Sequence, residues 1–164
     1  MATAMLGRRF FLATILLSAS MLADEYKGPR PPKADIPYLL HADSLIQTEV
    51  TEAKQETQKK TAVYTIPGAA SPARTPLAEP IFLIQQNRID PGTLELWRLE
   101  VRNGQRVVSV TSGSHRRGSA GPFHLTVTKV ADGLFRIEVE DVLENGEYSL
   151  SPTGSNVAFC FEEY

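Results

Sequence analysis

The chain has 164 residues, 42% of them apolar and 22% charged, which is enough for one domain with a substantial core. A formal charge of −2 gives no electrostatic case for nucleic acid or an anionic membrane surface as partner. A single cysteine, Cys160, excludes an intramolecular disulfide in any compartment.

Arg8 and Arg9 precede an uncharged run over residues 10–23, too short to span a bilayer comfortably and ending in small residues before Asp24. This predicts a cleavable signal helix over 1–23 and a periplasmic or extracellular location. The cut is expected after Ala23, with 18–20 as a second candidate because Met21 is bulky for the −3 position. Arg8-Arg9-Phe10-Phe11-Leu12 resembles the twin-arginine export motif, but an ordinary Sec signal carrying two arginines is the preferred reading. No cysteine near the cut offers a lipid attachment point. Loss of Arg8 and Arg9 leaves 15 basic against 19 acidic side chains, net −4, with no further membrane-spanning run.

Residues 24–37 carry four prolines among polar residues, which predicts a linker or an extended lead-in. A single domain is expected over 38–164. In 38–50 the apolar pieces Tyr38, Leu39, Leu40 and Leu45, Ile46 suggest strand, turn, strand. Such an edge, 45–50, could pair with another chain. Residues 51–60 have no apolar face beyond Ala53, so they form a solvated helix or the tip of a long hairpin between 45–50 and 61–66. The β-branched residues of both arms favour the hairpin. Prolines at 67, 72, 76 and 80 forbid a helix or central strand and predict a strap across the surface, crossing between sheets with Leu77 as its anchor.

The run Ile81-Phe82-Leu83-Ile84 is expected of a central strand buried on both faces. Asp90-Pro91-Gly92 turns into residues 94–112, two alternating arms closed by Asn103-Gly104. That pair is a strong hairpin signal, because a type I′ turn needs positive φ at both central residues. Arg102 then faces Gln105, Leu99 faces Val108 and Trp97 faces Val110, so Trp97, Leu99, Val108 and Val110 form the core face. Leu94 and Leu96 have the opposite parity, which a bulge near Leu96 would reconcile. A second hairpin turns at Ala131-Asp132-Gly133, with Gly133 left-handed, and pairs Val127 with Ile137 and Leu125 with Val139. Its outer face pairs Thr128 with Arg136, Thr126 with Glu138 and His124 with Glu140. A turn over 152–156 leads to the last strand. From Ile81 onward, seven or so short strands with regular turn signals predict an all-β antiparallel sandwich.

Leu143-Glu144-Asn145-Gly146-Glu147-Tyr148 resembles the tyrosine-corner approach of immunoglobulin-like and fibronectin type III domains. That resemblance implies a Tyr148 hydroxyl bonded back to nearby backbone. The last 30 or so residues also resemble the ending of uncharacterised bacterial exported proteins, which close on a Gly-Glu-Tyr turn and a Phe-rich strand. The chain departs from immunoglobulin domains in lacking the inter-sheet cysteine pair, and from many such endings in having Asn145 where proline is common. Neither resemblance carries an activity onto a residue.

Chemistry-bearing residues are sparse. His41, His115 and His124 share no local metal spacing, so no metal site is expected. His115, Arg116 and Arg117, flanked by glycine and serine, are the one cationic cluster of the mature chain. They read as a solvated loop tip or as a site for an acidic glycan or phosphate. His41 with Asp43 is the candidate base of a small hydrolase, although no nucleophile elbow occurs. Cys160 points away from Phe159 and Phe161 and reads as a buried, inert thiol. A carbohydrate-stacking role for Trp97 requires that it be exposed. No phosphate loop or dinucleotide fingerprint occurs, so no cofactor is expected. The preferred reading is an exported, non-enzymatic binding or structural module with a protein or anionic glycan as candidate partner.

Overall fold

The computed structural model describes residues 25–111 and 122–164, and apart from one short 3-10 turn (Pro91–Thr93) their regular secondary structure is all strand. In chain order the strands are β1 (Tyr38–His41), β2 (Ser44–Gln47), β3 (Glu49–Glu52), β4 (Lys54–Gln58), β5 (Thr61–Pro67), β6 (Arg74–Thr75) and β7 (Ile81–Gln85). They continue as β8 (Leu94–Arg102), β9 (Gln105–Thr111), β10 (Leu125–Ala131), β11 (Leu134–Val139), β12 (Gly146–Pro152) and β13 (Val157–Glu163). A five-strand sheet is ordered β10-β11-β7-β1-β2. An eight-strand sheet is ordered β3-β13-β12-β8-β9-β5-β4, with β6 laid parallel to β13. The two sheets pack together as the expected all-β sandwich.

The uninterrupted apolar run of β7 is central, as expected, paired to β1 on one edge and β11 on the other. Phe82, Leu83 and Ile84 are all buried. The proline-rich lead-in is docked rather than free. The Asp35 N–H donates to the Gln85 carbonyl at 2.8 Å, and Pro31 is buried. The Asp35 carboxylate in turn accepts the N–H groups of Asn87, Arg88 and Ile89 at 2.8–3.0 Å. Burial opposes ionisation of this carboxyl, but the three backbone donors hold it below the usual carboxylate range.

Residues 45–50 do not form one strand. At Thr48 the chain leaves the smaller sheet for the larger one, and its N–H and hydroxyl both donate to the Pro37 carbonyl, at 3.3 and 2.7 Å. The expected hairpin between 45–50 and 61–66 does not form; β5 pairs instead with the charged stretch itself, β4, from Lys54↔Thr65 to Gln58↔Thr61. Only Ala53 separates β3 from β4, yet β3 pairs β13 and β4 pairs β5, the two ends of the strand path. The larger sheet therefore closes on itself and has an interior of its own. Ala53, Ile66, Leu99, Ala158 and Cys160 fill it, while Leu94, Leu96, Tyr148, Leu150, Phe159 and Phe161 face the smaller sheet. Because both faces of β8 are buried, both parities are used without the bulge expected near Leu96; its ladder with β12 runs unbroken from Leu94 to Leu99.

Asn103 and Gly104 have φ of 51° and 74°, and Arg102 faces Gln105, as the turn chemistry requires. The ladder ends at Glu100↔Val107. Leu99 and Trp97 then lie opposite Glu147 and Ser149 on β12, while Val108 and Val110 lie opposite Tyr64 and Ala62 on β5. The expected Leu99–Val108 and Trp97–Val110 pairs do not form, because each arm finds a longer ladder elsewhere. The second hairpin keeps its expected register, Val127↔Ile137 and Leu125↔Val139, with an irregularity around Val130 and Gly133 at φ 64°. The Tyr148 hydroxyl donates to the Glu144 carbonyl at 2.6 Å, which is the corner bond that the resemblance implies.

The strap over 67–80 does cross from the larger sheet to the smaller. Leu77 is not its anchor, being 40% exposed. Ser71, Ala73, Thr75 and Pro80 are the buried residues, and β6 pairs Arg74 and Thr75 with Glu162 and Glu163.

Candidate functional site

The densest polar cluster lies inside the larger sheet. Arg106 has the parity of Val108 and lies opposite Ile66, so β9 aims it inward, where it is completely buried. All five of its N–H donors face protein acceptors. Nη1 and Nη2 donate to the two Glu49 carboxylate oxygens at 2.6 and 2.9 Å, Nε donates to the Gly68 carbonyl at 3.1 Å and Nη2 to the Pro67 carbonyl at 2.9 Å. Glu147 Oε2 lies 3.5 Å from Nη1 and accepts the Ser71 N–H at 3.0 Å. The Ser71 hydroxyl donates to the Cys160 carbonyl at 3.1 Å. Strands β3, β9, β12 and β13 thus converge on the first residues of the strap.

Burial is the largest single influence on both carboxylates, with opposite net outcomes. It opposes ionisation of Glu49, but the Arg106 bonds hold that carboxyl below the usual range. Glu147 is pushed above it, because burial outweighs the Ser71 N–H and the more distant Arg106. Burial also pushes the Cys160 thiol up to about 12, so it is a protonated, inert group. With four of its five donors hydrogen-bonded and the fifth turned toward Glu147, the buried guanidinium clasps the start of the strap.

His41 and His124 are not brought together. The β1–β2 turn places Asp43 at an exposed tip, and His41 instead has its Nε2 2.9 Å from the Thr75 hydroxyl, 34 residues along the chain. Thr75 Oγ1 also accepts the Leu77 N–H at 3.2 Å. Thr75 is wholly buried, so its hydroxyl cannot meet a substrate, and the His41–Asp43 pairing does not form. His124 lies opposite Glu140 as expected, but its side chain turns to Asp141. The backbone bond from Glu140 to His124 aligns the strands, and Asp141 Oδ2 takes both the His124 N–H at 2.7 Å and Nδ1 at 3.2 Å. Three strand spacings, about 14 Å, separate β10 from β1, so His41 and His124 share no concavity. His115, Arg116 and Arg117 lie outside the described residues. Among the described residues no three His, Cys, Asp or Glu side chains gather to hold a metal.

Trp97 departs most from expectation. It is half-buried and belongs to neither apolar cluster. Its Nε1–H donates to Glu95 Oε2 at 3.3 Å, and Ser149 and Ser151 face Trp97 and Glu95 across the β8–β12 ladder. The parting of β8 from β9 explains the change, since Val110 is carried away with β5. Arg106 was legible by parity as a charge on an apolar face. Glu49 and Glu147 were not, because nothing local marks their approach from strands 57 and 41 residues away in sequence. Compared with known proteins, the chain matches no family model, no curated protein and no solved structure.

Proposed function

We propose that the chain is an exported, non-enzymatic module that works by binding or by structural support in the periplasm or outside the cell. The signal-like segment over 1–23 supports export. The observation that carries the non-enzymatic part is the fate of the reactive groups. Arg106 and Glu147 are spent on the strap, Thr75 is sealed beneath His41, and Cys160 is buried and protonated. A general base needs a nucleophile and a substrate within reach, and the one hydroxyl beside His41, that of Thr75, is buried away from any substrate.

Two readouts test this. Expressed from the full sequence in a Gram-negative host, the chain should reach the periplasm or medium with a new N-terminus at 24 or within 19–21; an uncut cytoplasmic product contradicts export. Purified protein should turn over no ester, phosphoester, glycoside or peptide substrate above the background of a His41→Ala variant. Turnover that disappears in that variant overturns the non-enzymatic reading.

A further inference from the structure

We propose that residues 68–72, at the start of the strap, form a flap over Cys160 that is shut in acid and released as pH rises, with Ser71 as its pin and Glu147 as its catch. Leaving β5, the strap makes no backbone–backbone hydrogen bond among the described residues until the Glu162 N–H donates to the Ala73 carbonyl at 2.8 Å. From Ala73 on it is fixed. There β6 lies along β13, the Tyr164 N–H donates to the Thr75 carbonyl at 3.1 Å, and Arg74 grips the Glu162 carboxylate at 2.7 and 3.2 Å. Within 68–72 only Ser71 is buried. Three bonds tie this stretch to the strands beneath it, and each uses a side chain. Arg106 Nε donates to the Gly68 carbonyl, the Ser71 N–H donates to Glu147, and the Ser71 hydroxyl donates to the Cys160 carbonyl.

The catch is short of positive charge. One guanidinium serves two buried or half-buried carboxylates, and Glu49 takes Nη1 and Nη2 at 2.6 and 2.9 Å while Glu147 is left at 3.5 Å. The other groups facing Glu147 are Glu162 across the β12–β13 ladder, the Cys160 thiol, and Arg74, which is already committed to Glu162. An ionised Glu147 is thus a buried charge without a cation of its own, a costly state that water relieves. A protonated Glu147 still accepts the Ser71 N–H and carries no such cost. Burial accordingly holds this carboxyl above its ordinary value. Lifting residues 68–72 hydrates it. The opening equilibrium therefore gains up to about tenfold per pH unit above about 4.3, and levels off once Glu147 is ionised in the shut form too. Glu49, held below its ordinary value, stays ionised across this window and does not drive it.

Cys160 reports the flap. It is the only cysteine, it is wholly buried, and its thiol stands near Arg106, Glu49 and Glu147. Opening returns it from about 12 toward the ordinary thiol value of about 8.5. The exported chain is treated with 4,4′-dithiodipyridine without denaturant between about pH 4 and 8, beside Glu147→Gln, a catch of the same shape that cannot ionise. The ratio of parent to variant rates cancels the pH dependence of the reagent and the thiol. It should be near one at pH 4 and climb severalfold by about pH 7. A second readout needs no variant. In the parent, amide exchange at Ser71 should accelerate with pH relative to Phe82 and Ile84 in the smaller sheet. A rate ratio that stays flat across pH overturns the flap. So does a Ser71 amide exchanging in step with Phe82 and Ile84, because the thiol is then reached only by unfolding of the whole domain. Neither readout involves a ligand or a substrate, so failure here leaves the binding-module reading standing.

Discussion

The two faces of the larger sheet are packed by opposite chemistry. Toward the smaller sheet, Leu94, Leu96, Leu150, Phe159 and Phe161 meet Leu39, Phe82, Ile84, Ile137 and Val139 in a core without a charge. Phe82 stands edge-on to Phe161 at 5.2 Å, and Tyr148 stacks on Phe161 at 5.6 Å. On the inward face the apolar side chains are mostly small, Ala53, Ala158 and Cys160 beside Leu99 and Ile66, and the largest buried side chain is Arg106. The first face is held by apolar area removed from water, a term with no direction. The second is held by directed bonds that select one position for the strap. Bulk stability and strap placement are thus assigned to different faces of the same strands.

The comparison breaks if both faces answer alike to truncation. Arg106→Ala leaves the buried Glu147 and the half-buried Glu49 without their cation and should cost about 3–5 kcal/mol in urea unfolding. Phe161→Ala should cost a similar amount, about 3–5 kcal/mol, by opening a cavity between the sheets. The two differ in pH response, and only Arg106→Ala should reshape the stability profile.

That profile sharpens the contrast. Glu49 is held below its ordinary value, so its contribution is present above the unfolded pKa of about 4.3 and lost as pH falls through the folded value. Glu147 is held above its ordinary value, so its contribution is present below about 4.3 and lost as pH rises through the folded value. Urea midpoints between about pH 3 and 8 should show Glu49→Gln flattening the acid limb and lowering neutral stability. Glu147→Gln should remove the loss on the rising side and be at least as stable as the parent at neutral pH. The smallest effect belongs to the apolar face. Tyr148→Phe keeps the stack on Phe161, loses the bond to the Glu144 carbonyl, and should cost about 1 kcal/mol without altering the pH profile.

Local chemistry made much of the fold legible. Asn103-Gly104 and Asp132-Gly133 announce their turns because positive φ is a requirement of single residues, and the registers follow by counting. How far each ladder runs was not legible. Whether β9 stays with β8 or leaves for β5 depends on competing partners distant in sequence, and so Trp97 was misplaced in the core. The charged stretch 54–58 hid a strand because alternation marks a strand only where one face is apolar, and residues 54–57 are exposed on both faces. Closure through Ala53 could not be foreseen for the same reason. Of the candidate residues, His41 was read with its neighbour Asp43, whereas its partner is Thr75, which reaches it only once the strap is folded across the sheet.

The claim that the inward face exists to hold the strap is tested most directly by amide hydrogen exchange in Glu49→Gln at neutral pH. The strap amides of Ser71, Ala73 and Leu77 should lose protection well ahead of Phe82 and Ile84 in the smaller sheet. Unchanged strap protection, or equal loss across both sheets, would contradict it.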